Sequence, residues 1–155
     1  MPLTDLGRQQ AAVAGDKLMN IHFHKVFSSD FSRASETCAI ALPDSNPEIT
    51  PLQREYAIGT VQGRKIGEVK LPLPADSQKA SDYTPFGGED AYMVRARAWR
   101  FLSSLEDKGY EYVAAFAHYG FMNCVLWEVF GTKIQNGPIK TDNCAIHVLE
   151  YDGST

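Results

Sequence analysis

Three residues stand where an α/β protein can place chemistry. The first follows Lys25-Val26-Phe27-Ser28-Ser29, a short apolar run that gives way through Asp30-Phe31-Ser32 to a helical stretch carrying Arg33. Free backbone N–H groups and the positive end of the helix dipole make such a junction attractive to anions. In the first helical turn, Arg33 can offer two parallel N–H donors to phosphate oxygens, and Ser29 adds a hydroxyl beside it. The second is His118, between the apolar run Tyr112 to Ala117 and another helix start. An imidazole at the exit of a buried strand is placed to bind or protonate a ligand. The third is Glu89, directly after Gly87-Gly88 at the head of a long helical pattern. Each has a plainer reading. Arg33 also suits a solvated helix face, His118 a hydrogen-bonded structural histidine, and Glu89 a favourable charge at a helix N-terminus.

The elements that must position these groups are legible in outline. Thr4 to Met19 reads as a helix capped by Thr4, with Leu6, Ala14 and Leu18 broadly on one side. Lys25 to Ser29 reads as a buried strand, followed by a helix capped by Asp30 or Ser32 and ended near Leu42 by Pro43-Asp44. Asp44 to Thr50 is turn-rich, and Pro51 to Val69 is predicted irregular. Leu71 to Gly88, with Pro72, Pro74 and Pro85, has the composition of a surface loop or lid. From Glu89 the residues Ala91, Val94, Ala98, Phe101, Leu102 and Leu105 recur at helical spacing. Tyr112 to Ala117 then suits a parallel strand buried on both faces, Phe121 to Phe130 a helix closed by Gly131, and Ala145 to Tyr151 a last strand. This alternation predicts an α/β fold.

Bulk properties narrow the classes. The 155 residues suit one domain, and 44% hydrophobic with 22% charged residues is ordinary for a globular chain. A formal charge of -4 lacks the basic surplus of a nucleic-acid binder, so an anion site must be a local cationic patch. No run reaches the length of a membrane span, and Met1-Pro2-Leu3-Thr4 has no signal-peptide character. Cys38, Cys124 and Cys144 are too widely spaced for a zinc site or a disulfide framework, so reduced thiols in a cytoplasmic protein are expected. His22 and His24 form a His-x-His pair without an identifiable third ligand. They precede their strand, on the side away from the expected site.

Several stretches in order resemble the histidine phosphatase, or phosphoglycerate-mutase-like, superfamily. Pro2-Leu3-Thr4-Asp5-Leu6-Gly7-Arg8-Gln9-Gln10-Ala11 is similar to its first helix start. Val26 to Asp30 with Arg33-Ala34 and Glu36-Thr37 resembles its serine- and arginine-bearing strand–helix element. Arg54-Glu55 with Gly59 and Gly63 looks like a loosened form of a further element. Gly87-Gly88-Glu89, Phe116-Ala117-His118, and Asn143-Cys144 with Val148 to Tyr151 complete the series. The resemblance runs from Pro2 to Tyr151. It implies a three-layer sandwich with a mostly parallel central sheet and a phosphate pocket of two histidines and two arginines. It implies Arg33 as a pocket arginine, His118 as the second histidine and Glu89 as proton donor, with no metal or cofactor. The chemistry is coherent: positioning and cationic donors do most of the work of phosphoryl transfer, and a nearby dianion favours a protonated glutamate.

One signature is missing. The family's nucleophile lies in an Arg-His-Gly at the end of its first strand, and no Arg-His-Gly occurs in these 155 residues. The expectation is a single, N-terminally truncated domain whose natural product begins earlier. Its absent strand would leave neighbours with unpaired backbone groups, or force them together. Two departures bear on the pocket: Tyr119 after the second histidine, and Asp90 beside Glu89. Three functions follow. One is phosphomonoester hydrolysis through phosphohistidine in the longer product, the present chain being inactive. Another is a non-catalytic module holding a phosphorylated ligand, and the third is a structural remnant. The expected partner is a small phosphorylated substrate or phosphate. The cluster Arg95, Arg97 and Arg100 is expected on a solvated helix face.

Overall fold

The computed structural model describes residues 2–65, 82–130 and 142–150. Helix α1 (Asp5–Leu18) starts at Thr4, whose hydroxyl accepts from the Gly7 N–H. Strand β1 (Lys25–Ser29) leads into α2 (Ser32–Ala41), and β2 (Glu48–Thr50) follows. Helix α3 (Ala91–Ser103), strand β3 (Val113–Phe116) and helix α4 (Tyr119–Phe130) complete the described elements. Among the described residues no helix is long and apolar enough to cross a membrane.

The sheet is parallel, in the order β2-β1-β3, with Phe27 opposite both Glu48 and Ala115. Successive strand residues face opposite sides, and β1 uses both. Val26 joins Cys38 of α2 and Ala114 in one buried cluster. Phe27 joins Val94, Ala98 and Phe101 of α3 and Phe121, Cys124 and Val125 of α4 in another. The sheet is therefore the middle of three layers. Helix α1 packs on α2 rather than on the sheet, through small residues. A Cβ at Gly15 would come within 2.8 Å of the Ala41 carbonyl oxygen. The start of the chain is tied to α2 by Glu36, which pairs with Arg8 and accepts from the Leu3 N–H at 2.9 Å.

The structure departs from the sequence reading at three places. The turn-rich stretch before Pro51 contains β2, a three-residue strand too short to announce itself by alternation. Unpaired backbone inside the sheet, one of the two outcomes expected, is not seen: β1 is paired on both edges, while the outer edge of β3 carries no strand among the described residues. Residues 145–150, expected as a closing strand, run without ladder pairing, with Ile146, Val148 and Leu149 exposed. Its apolar residues suit the segment to a sheet, but ladder hydrogen bonds need a neighbour. Of the loop predicted over 71–88, residues 71–81 lie outside the described residues, as does Tyr151.

Candidate active site

The carboxyl ends of β1 and β3 bring Ser29 and His118 together with Arg33 from the first turn of α2. Arg33 Nε donates to His118 Nδ1 at 3.1 Å, and His118 Nε2 lies 3.0 Å from Ser29 Oγ. A guanidinium has only donors, so Nδ1 must accept and the ring proton resides on Nε2, which donates to Ser29. His118 is 8% exposed. Burial, reinforced by the charges of Arg33 and Arg97 and opposed by Asp30, pushes its pKa down to about 4. The imidazole is neutral at pH 7. Ser29 Oγ also accepts from the Phe31 N–H at 3.3 Å, which fixes the hydroxyl at the strand end.

Around this trio lie two further arginines in different states. Arg54 pairs bidentately with Asp30, whose carboxyl that contact holds below its usual range. Arg33 and Arg54 both lie near the Phe31 ring, with Cζ atoms 5.2 and 5.5 Å from its centroid. Arg97 grips Glu89: Nε donates to Oε1 and Nη2 to Oε2, each at 2.8 Å, with both side chains 16% exposed. Among the described residues no carboxylate pairs with Arg33.

Glu89 makes no hydrogen bond to the trio among the described residues. It stands across the 54–57 segment and accepts from the Ala57 N–H at 2.9 Å. Burial alone raises its pKa. The Arg97 hydrogen bonds, the Ala57 N–H and the charges of Arg97 and Arg54 outweigh burial and hold the carboxyl below its usual value. Glycine makes this seam possible. The Glu89 N–H donates to the Ala57 carbonyl at 2.8 Å, and a Cβ on Gly88 would lie 2.3 Å from that oxygen. Gly59, at φ +58, leaves a Cβ no room against the Phe86 carbonyl. The same segment also meets the start of α4, two residues past His118, where Glu55 accepts from the Tyr56 N–H and from the Gly120 N–H.

Several expectations are corrected by contacts. Arg97 is not on a solvated face, and Arg95 pairs with Glu128 and lies 4.1 Å from the Trp127 ring centroid. Asp90 caps α3 by accepting from the Met93 N–H at 2.8 Å, so its charge serves the helix start. Tyr119 is 44% exposed at the head of α4. Burial pushes the Cys38 and Cys124 thiols up, leaving neither as a ready thiolate. His22 and His24 lie before β1, at the opposite end of the sheet from Ser29, and His24 meets Tyr112 through its backbone N–H and Nδ1. Among the described residues no three His, Cys, Asp or Glu side chains gather as a metal site.

Arg97, Glu55 and the Asp30–Arg54 pair were missed as site residues. For Arg97 a signal existed. It sits three residues after Val94 and four before Phe101, within the apolar stripe, and a charge there requires a buried partner.

The sequence model of the histidine phosphatase superfamily (branch 1) matches residues 1–155. The chain belongs to that superfamily. It is 33% identical to fructose-2,6-bisphosphatase TIGAR B of Danio rerio over 99% of this chain, and spans 55% of that relative's length. It is 26% identical to the broad-specificity phosphatase YOR283W of Saccharomyces cerevisiae, over 94% of this chain and 66% of that protein. In three dimensions it is similar to Bacillus stearothermophilus YhfR, with a TM-score of 0.74, 24% identity, and coverage of 88% of this chain and 71% of the other. That likeness confirms the phosphoglycerate-mutase-like architecture.

Proposed function

We propose that this histidine phosphatase chain holds the phosphate-binding and proton-handling part of a phosphomonoesterase that works through phosphohistidine. On this reading the 155 residues bind phosphate without turning over a monoester, because no Arg-His-Gly is present to supply the nucleophile. The observation that carries the proposal is Arg33 without a carboxylate partner among the described residues, hydrogen bonded to a buried, neutral His118 beside Ser29. An arriving dianion takes the free N–H donors of Arg33 and the Ser29 hydroxyl. Its charge also raises the His118 pKa from about 4, and the proton taken up goes to Nδ1, so the Arg33 Nε–H leaves the ring for the phosphate and the imidazolium becomes a second cation in the pocket.

Glu89 has a conditional part. In the empty site Arg97 holds it as a carboxylate, and a dianion nearby opposes that hold and draws a proton to it. A loaded site therefore contains the acid that a departing alkoxide needs. The substrate class is a small phosphorylated metabolite. Similarity to a fructose-2,6-bisphosphatase favours a sugar phosphate within that class.

Calorimetric titration of the chain with phosphate or orthovanadate tests this reading, beside an assay with an aryl phosphate. The expected result is saturable binding at millimolar or lower concentration with proton uptake at pH 7, and no turnover above background. Absence of binding removes the proposal, and turnover that is lost in His118→Ala overturns the claim that these residues are inert on their own.

A further inference from the structure

Arg97 lies beside this site, and its five N–H groups are all engaged. Nε and one Nη2 proton hold the two oxygens of Glu89, and Nη1 donates to the carbonyls of Leu52 at 2.6 Å and Arg54 at 3.0 Å. The remaining Nη2 proton faces the Glu55 carbonyl at 3.5 Å. A guanidinium has no further donor. It can therefore offer nothing to a phosphate without breaking a buried contact, although its charge reaches His118. Three of its partners are consecutive or near-consecutive carbonyls of one segment. That segment sends Arg54 to Asp30, the Glu55 carboxylate to the head of α4, and the Ala57 N–H to Glu89.

We propose that Arg97 is the positioning residue of the site. One guanidinium, carried on the rigid helix α3, fixes the Glu89 carboxylate and the 52–55 backbone in a single arrangement and does not itself meet the ligand. The role rests on the phosphate-site reading for its purpose, but the arrangement can be tested without it. Lysine cannot replace the residue. An ammonium is a point charge with three donors and lacks the planar fork that grips a carboxylate and two carbonyls together.

The charged and hydrogen-bonding groups that face Glu89 are Arg97 from α3, Arg54 from the 52–55 segment and the Ala57 N–H, with Asp90 as its chain neighbour. Carbon-detected NMR of the 155-residue chain can follow the Glu89 carboxyl through pH in the wild type, Arg97→Gln and Arg97→Lys. The midpoint is expected to rise in Arg97→Gln and to be restored only in part by Arg97→Lys. An unchanged midpoint in a folded Arg97→Gln protein overturns the assignment. Should that variant fail to fold, Glu89→Gln supplies the reciprocal measurement. Exchange of the Arg97 Nε–H is expected to be slow in the wild type and at least about tenfold faster in Glu89→Gln, where a neutral amide replaces a charged acceptor. Equal exchange in the two proteins is the contrary result. Phosphate titration of the same samples separates the two proposals. A wild type that binds no phosphate removes the site reading, while the Glu89 midpoint still decides the role of Arg97.

Discussion

Two sides of His118 carry arginines in opposite condition. On the β1–α2 side, Arg33 is bonded to the histidine ring and has no carboxylate partner among the described residues. On the α3 side, Arg97 spends every donor on Glu89 and on backbone carbonyls. Both charges depress the same imidazole. On the phosphate-site reading, the difference lets one cationic region both receive an anion and keep its own walls in place. A buried charge already paired contributes rigidity, and one that lacks an anion leaves a place for it.

The sharpest way to break this comparison is to remove the receiving side. Arg33→Ala is expected to weaken phosphate or vanadate binding by about a hundredfold or more, since hydrogen bonds to charged groups are worth about 1.5–3 kcal/mol and two are lost together. Folding should survive, because the deletion also relieves a buried histidine of an adjacent positive charge. Titration calorimetry and thermal melting on one sample give both numbers. Binding that persists at wild-type strength shows that the two arginines do not differ in function.

A second test uses pH. The folded-state pKa of His118, about 4, lies below the 6.5 of a free imidazole, so between these values the unfolded chain takes up a proton that the folded chain refuses. Stability is therefore level above pH 6.5 and falls as pH drops toward 4, by about 3 kcal/mol for a group this buried. His118→Asn should flatten that slope in urea melts between pH 6.5 and 5. Asp30 and Glu89, whose pKa values are lowered, add their own losses only in the more acidic carboxyl range. Saturating phosphate should also flatten the slope, since a bound dianion lets the folded state accept the proton. A slope that is the same in His118→Asn places the acid-sensitive group elsewhere.

What the sequence disclosed of these two sides follows from how each is specified. Ser29, Arg33 and His118 could be read because a strand leaving a sheet for a helix is a local pattern, and anions favour that junction. Helices were readable for a related reason: their hydrogen bonds close within the segment. The cap at Thr4 and the stripe through Val94, Ala98 and Phe101 both stand where the residues predicted. Apart from Glu89, eight positions away, the partners of Arg97 lie more than forty positions from it in the chain, and only the packing of α3 against the 51–53 turn brings them together. Strands share that dependence on distant partners. Residues 145–150 have the apolar content of a strand and no ladder partner among the described residues, whereas Glu48–Thr50 has almost no pattern and pairs fully with β1.

Arg54 lies between the two conditions and should show the smallest effect. It is paired, like Arg97, but its side chain is 49% exposed and its partner Asp30 is 27% exposed. Solvent screening leaves such a pair only a small net contribution to stability. Arg54→Gln is thus expected to lower stability by no more than that, and to weaken phosphate binding about twofold through loss of one nearby positive charge. Salt separates this arginine from Arg33. At 0.5 M sodium chloride the small Arg54 contribution should vanish, because exposed charges are screened within a few ångströms there. The Arg33 contribution, made by direct hydrogen bonds in a partly buried pocket, should remain. If Arg54→Gln costs as much as Arg33→Ala, then Asp30 does not hold Arg54 when ligand is present. The receiving side of the site then comprises two arginines that share the Phe31 ring.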